Sequence, residues 1–232
     1  MPTNVAYRGP GDCPDVIPVF PLPGALLLPR GQMPLNIFEP RYMAMIDDAL
    51  RGERLIGMVQ PESDGIPGSG EGGNASPGRL YKVGCAGRIT QLAETGDGRY
   101  LLTLTGIARF RVVEELTVMT PYRQVRADFS PFENDFIARA GEDAVDRERL
   151  IAALRQFVKV MEIEVDWRGV EKAPNEALVN ALCMMTPFGA AEKQALLEAP
   201  DLKNRAEALI ALTEIEVLRG GNDDEDSSPT MQ

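Results

Sequence analysis

The residues able to do chemistry are few, and their spacing argues against catalysis. The chain has no histidine, so no imidazole can act as a general base. Cys13, Cys85 and Cys183 are widely separated, a pattern that fits neither a zinc site nor a disulfide framework. The six serines and five lysines show no spacing that ties a nucleophile to a base. Glu39-Pro40-Arg41 sets a carboxylate beside a guanidinium, and its better reading is structural. Glu39 sits where a helix N-terminus favours negative charge, and Arg41 and Arg109 are expected to hold a barrel end by bidentate contacts. The glycine-rich stretch 61–79 lacks the Lys-Ser or Lys-Thr pair of a phosphate-binding loop. It reads as a mobile loop with too little apolar surface to offset ordering entropy. No catalytic residue, metal site or cofactor is expected.

The elements that would position a binding site divide the chain in two. Short apolar runs cut by prolines, such as Phe20-Pro21-Leu22-Pro23-Gly24 and Leu26-Leu27-Leu28-Pro29, predict short bent strands in a small closed or half-closed barrel. Period-2 alternation through Tyr100, Leu102 and Leu104, and then through Ala108, Phe110 and Val112 against Arg109 and Arg111, predicts a half-buried strand. Thr95-Gly96-Asp97-Gly98 joins it to the preceding strand as a hairpin turn. Between the strands, Pro40 at a first helical position and Gly52 at the end bracket one helix with Tyr42, Met43, Ile46, Ala49 and Leu50 on its apolar face.

From residue 142 onward the period becomes helical. Leu150, Ile151, Leu154, Phe157, Val158, Met161 and Val165 predict one long helix, with Trp167 at its end. Asn175 and Asp201 are expected to cap two later helices, and a shorter one lies around 191–198. The class is α+β. A flexible N-terminus spans 1–15, a β-rich lobe 16–130, a helical lobe 131–219, and a disordered acidic tail 220–232. The net charge of -11 repels phosphate backbones, so no nucleic-acid partner is expected. The start of the chain has no signal-peptide core and no run is apolar enough to span a bilayer, so a cytoplasmic protein without a membrane partner is expected.

Ile17 through Pro34-Leu35-Asn36-Ile37-Phe38-Glu39-Pro40-Arg41-Tyr42 resembles the opening of the N-terminal domain of Lon proteases. The resemblance continues at Tyr81-Lys82-Val83-Gly84-Cys85-Ala86-Gly87-Arg88-Ile89, Gly106-Ile107-Ala108-Arg109-Phe110-Arg111 and Pro121-Tyr122-Arg123. It closes at Lys193-Gln194-Ala195-Leu196-Leu197-Glu198 with Arg205 downstream. It implies a β lobe of the PUA-like type followed by a helical lobe, and a module that helps recognise unfolded substrates without hydrolysing peptide or ATP. Neither a Walker motif nor a Ser-Lys catalytic segment stands in this sequence, and no ATPase or peptidase domain is expected. The family motif assigns structural roles to Phe20, Pro21, Pro23, Glu39, Arg41, Tyr42, Gly84, Gly106, Arg109 and Phe110.

The expected function is therefore non-catalytic binding of unfolded polypeptide or a partner protein; the sequence sets no oligomeric state. Leu26, Leu27, Leu28, Met33, Leu35 and Phe38 are the candidate binding residues, because recognising unfolded chains requires exposed apolar area or a strand edge. The ten methionines are read mainly as core fillers. The alternative implied by PUA-like barrels is a small-ligand or RNA sensor, with Arg88, Arg109 or Arg111 lining the barrel mouth.

Overall fold

Among the described residues of the first half, prolines and glycines mark off six strands and one α-helix. The computed structural model describes residues 5–62 and 78–223; the bulk of the expected mobile loop and the end of the tail lie outside these. The strands are β1 (Val16–Pro21), β2 (Gln32–Ile37), β3 (Leu55–Val59), β4 (Val83–Glu94), β5 (Tyr100–Glu115) and β6 (Gln124–Asp128), with α1 (Pro40–Arg51) after β2. β5 is long enough to pair three times: with β2 along its first third, with β4 from Tyr100 to Arg111, and with β6 from Arg111 to Glu115. Pairings β4–β3, parallel β3–β1 and β1–β6 then complete a five-stranded ring. The ring carries β2 as an appendage on β5, so the expected barrel is a closed ring with one strand outside it. Pro18 is tolerated in β1 because the strand changes partner there, pairing β6 up to Pro18 and β3 from Val19.

α1 forms where Pro40 and Gly52 bracket it, with Tyr42, Met45, Ile46 and Ala49 buried. The helical half holds α2 (Arg147–Val160), α3 (Trp167–Lys172), α4 (Asn175–Met185), α5 (Ala190–Glu198) and α6 (Leu202–Asp223). The expected long helix ends at Val160, because Asp166 caps a new helix that Trp167 begins, accepting from the Arg168 N–H at 3.1 Å. Asp201 caps α6 through the Asn204 N–H at 2.8 Å. Asn175 caps nothing: its amide donates to the Glu142 carbonyl and accepts from Arg147. α6 runs to Asp223, into the stretch read as tail, and at the other end Cys13 is buried in a cluster with Ile17, Phe110 and Val125. Within the stretch expected to be flexible, Cys13 therefore packs on the ring, while Gly11 and Asp12 before it stay exposed.

The two lobes share one core. Phe20, Leu26, Leu27, Leu28, Ile37 and Tyr42 from the β half pack in the same cluster as Leu150, Leu178, Leu196 and Leu209 from the helices. Polar joints reinforce it. Arg109, 3 % exposed, donates from Nε and Nη2 to the two carboxylate oxygens of Asp135 at 2.8 and 2.9 Å. Its Nη1 donates to the carbonyls of Leu197 and Ala199 at the end of α5. The expected bidentate contact thus forms at the joint between lobes. Gln60 donates to the Ala190 carbonyl and to Gln194, which in turn reaches the Val83 carbonyl.

Two glycines of the motif are required by contact. A Cβ on Gly106 would run into the carbonyl oxygen of Leu28, and one on Gly84 would stand 2.7 Å from both the Met58 carbonyl oxygen and the Phe110 ring.

Two outcomes follow in urea unfolding. Asp135→Ala strands a buried guanidinium and should cost roughly 3–5 kcal/mol. Gly106→Ala should cost roughly 1–3 kcal/mol or more by forcing the 28–29 backbone away, whereas Gly11→Ala, with no atom near the added methyl, should leave the midpoint within a few tenths of a molar. A wild-type midpoint for Asp135→Ala would refute the joint.

Candidate functional site

The segment between β1 and β2 and the helix α4 leave a groove between the lobes. Its volume is about 620 Å³, and Leu26, Pro29, Met33, Pro34, Ala177, Ala181, Met184 and Met185 give it an apolar lining. α4 is held against this segment by Asn180, whose amide donates to the Pro29 carbonyl at 3.2 Å and accepts from the buried Arg205 at 3.1 Å. Burial draws the Arg205 guanidinium down to about 10, which leaves it charged at neutral pH. Gly31, just before β2, lets the Met184 thioether lie close against the chain; a Cβ there would push that side chain aside.

Glu176 organises the charged end of the groove. It accepts from the Arg30 side chain and, at 2.7 Å, from the Arg139 N–H. Arg30 and Arg139 both hold left-handed backbones, with φ of 64° and 65°, a conformation that costs on the order of 1–3 kcal/mol and persists only where surroundings fix it. Arg139 also pairs with Glu142, which holds the Glu142 carboxyl below its usual range. The charges at the groove are therefore matched locally, and the open surface is left to methionine and proline.

Of the expected binding residues, Leu26, Leu27 and Leu28 are core, at 2, 1 and 0 % exposure. They join the core cluster that the two lobes share; of the three, Leu26 also borders the groove. Met33 and Leu35 are half-buried, and Phe38 is 60 % exposed. Met33 enters the groove, Leu35 a second hollow of about 450 Å³ beside Leu92 and Leu101, and Phe38 neither. Among the methionines, read mainly as core fillers, Met185 is 81 % exposed and Met184 is half-buried at the groove. Local spacing carries no signal for this, since adjacent helical residues such as Met45 and Ile46 do bury together.

Among the motif residues, Phe20 and Tyr42 stack with ring centroids 4.3 Å apart. Pro21 ends β1, and Pro23 with Gly24, at φ 69°, makes the turn that follows. Phe110 is fully buried against Phe129. Glu39 stands at the α1 N-terminus. Arg41 holds no barrel end: both its donors reach Glu39, two residues away, because that carboxylate lies closest. Neither groove includes Arg88, Arg109 or Arg111. Trp167 sits under the Arg155 guanidinium at 5.3 Å.

The model of the ATP-dependent protease La (LON) substrate-binding domain matches residues 16–214. A Lon protease 2 of Myxococcus xanthus is 30 % identical over 222 residues, 91 % of this chain and 25 % of that protein. A Lon protease of Anaeromyxobacter dehalogenans is 29 % identical over 210 residues, 87 % of this chain and 23 % of that one. The chain thus spans about a quarter of the length of these relatives. Two solved structures share the fold. A Lon N-terminal domain protein from Xanthomonas campestris has a TM-score of 0.59 at 21 % identity, covering 84 % of this chain and 97 % of that one. The N-terminal domain of the Mycobacterium avium complex Lon protease has 0.61 at 19 %, covering 86 % and 98 %.

The three thiols are all free and buried. Burial pushes Cys13 and Cys183 up to about 12 and raises Cys85 as well. Native protein should therefore leave all three unreacted with Ellman's reagent near neutral pH over minutes, and release them on unfolding; one fast thiol would contradict this packing. Unfolded thiols ionise near pH ~8.5, below the folded values of about 12. The stability they contribute is fully present below pH ~8.5 and is lost as pH rises from there toward the folded values. A urea midpoint that stays flat across that alkaline window would contradict it.

Proposed function

The chain belongs to the ATP-dependent protease La (LON) substrate-binding domain family, and from this we infer that it binds unfolded polypeptide in the groove between its lobes. The observation that carries the reading is the lining. Met33, Met184 and Met185 meet there with prolines and alanines, and the neighbouring charges are already paired. Methionine has an unbranched, polarisable side chain that adapts to varied apolar partners. An unfolded chain presents apolar groups in no fixed order, so an adaptable surface suits it better than a shaped pocket. The role is binding, in protein quality control, and it needs no nucleophile or base from this chain.

Labelled, permanently unfolded casein titrated with this protein should show a saturable rise in fluorescence anisotropy at micromolar concentration, and a folded protein of similar size should not. Met185→Glu places a carboxylate at an exposed groove position, so it should weaken casein binding by about tenfold at unchanged Tm. Equal affinity of this variant for casein, or no saturation with the wild type, would sink the reading.

A further inference from the structure

The groove does not stop at Met33. It shares Pro34 with the second hollow, which lies over the sheet face on Leu35 and Asn36 of β2, Leu101, Leu102 and Thr103 of β5 and Gln91, Leu92 and Ala93 of β4. β2 is also the strand left outside the closed ring: among the described residues it pairs with β5 alone. α4 contacts the chain just before the strand, through Asn180 on the Pro29 carbonyl and Glu176 on Arg30. Beyond Gly31 no described residue hydrogen-bonds the outer edge of β2. The groove thus borders the first half of an open strand edge, whose backbone groups, apart from the N–H that Pro34 lacks, stand beside a surface for side chains.

Resting on the groove reading above, we propose that bound polypeptide lies as an added strand along β2, with alternate apolar side chains on the Met33–Leu35–Ile37 face. The face follows from the pleat: along β2 the residues alternate between exposed Gln32, Pro34 and Asn36 and more buried Met33, Leu35 and Ile37. An added strand continues the same pleat, so every second side chain joins the apolar face and the others lie level with the polar one. The preferred segment is therefore extended, apolar at every second position and about six residues long, the length of β2. Charge selects its flanks. The chain carries -11, and the groove arginines are already matched by Glu176 and Glu142, so lysine- or arginine-flanked segments are drawn in and acidic ones repelled.

The test uses a lysine-flanked peptide alternating leucine and threonine, and its counterpart with the same side chains but every central amide N-methylated. Residue-resolved hydrogen exchange of this protein with saturating peptide should show the fast-exchanging amides of β2 slowed at least about tenfold. The methylated counterpart, which cannot donate, should bind at least about tenfold more weakly. Binding of both peptides alike, with β2 exchange unchanged, overturns strand addition and leaves the groove reading standing. If Met185→Glu binds casein as the wild type does, the groove reading falls, whatever β2 shows.

Discussion

The carboxylate of Asp135 and the guanidinium of Arg109 hold the two halves of this molecule in one arrangement. Both are nearly inaccessible to water, and burying two charges costs several kcal/mol that only good geometry and further hydrogen bonds offset. Here the fork is bidentate, Asp135 also accepts from the Arg109 N–H, and the remaining Arg109 donors find carbonyls at the end of α5. A pair this exacting tolerates one docking of helices on ring. Asp135 carries the constraint further, because its main-chain carbonyl accepts from Arg30, whose side chain grips Glu176 on α4. The groove rim is thus one residue away from the buried pair.

Local periodicity was legible and long-range partnership was not. The hairpin, α1 with its bracketing residues, and the change from strand to helix follow from spacing over a few residues. Arg109 alternates with apolar neighbours, and period 2 alone consigns it to the solvent face. The carboxylate that buries it lies 26 residues later, in a segment whose sequence only breaks periods. The same blindness affects Leu26, Leu27 and Leu28. A run of three leucines between proline-broken strands suggests exposure if one imagines the β lobe alone, yet all three join the core that both lobes build. Glu176 and Asn180 were illegible as site residues for the converse reason, since their partners Arg30 and Pro29 stand more than a hundred residues upstream.

One groove combines a rigid backbone with adaptable side chains. Its backbone is fixed: two left-handed arginines are clamped by a single carboxylate, a glycine lets Met184 touch the chain, and β2 is held in register by β5. Its exposed side chains are the most compliant apolar type available. A fixed backbone lowers the ordering entropy that binding must overcome, while compliant side chains keep it from selecting one sequence. If polypeptide adds to β2 as proposed, that combination would discriminate between extended and folded chains more strongly than between one unfolded chain and another, because hydrogen bonds along a strand edge read the peptide backbone, which every unfolded segment shares.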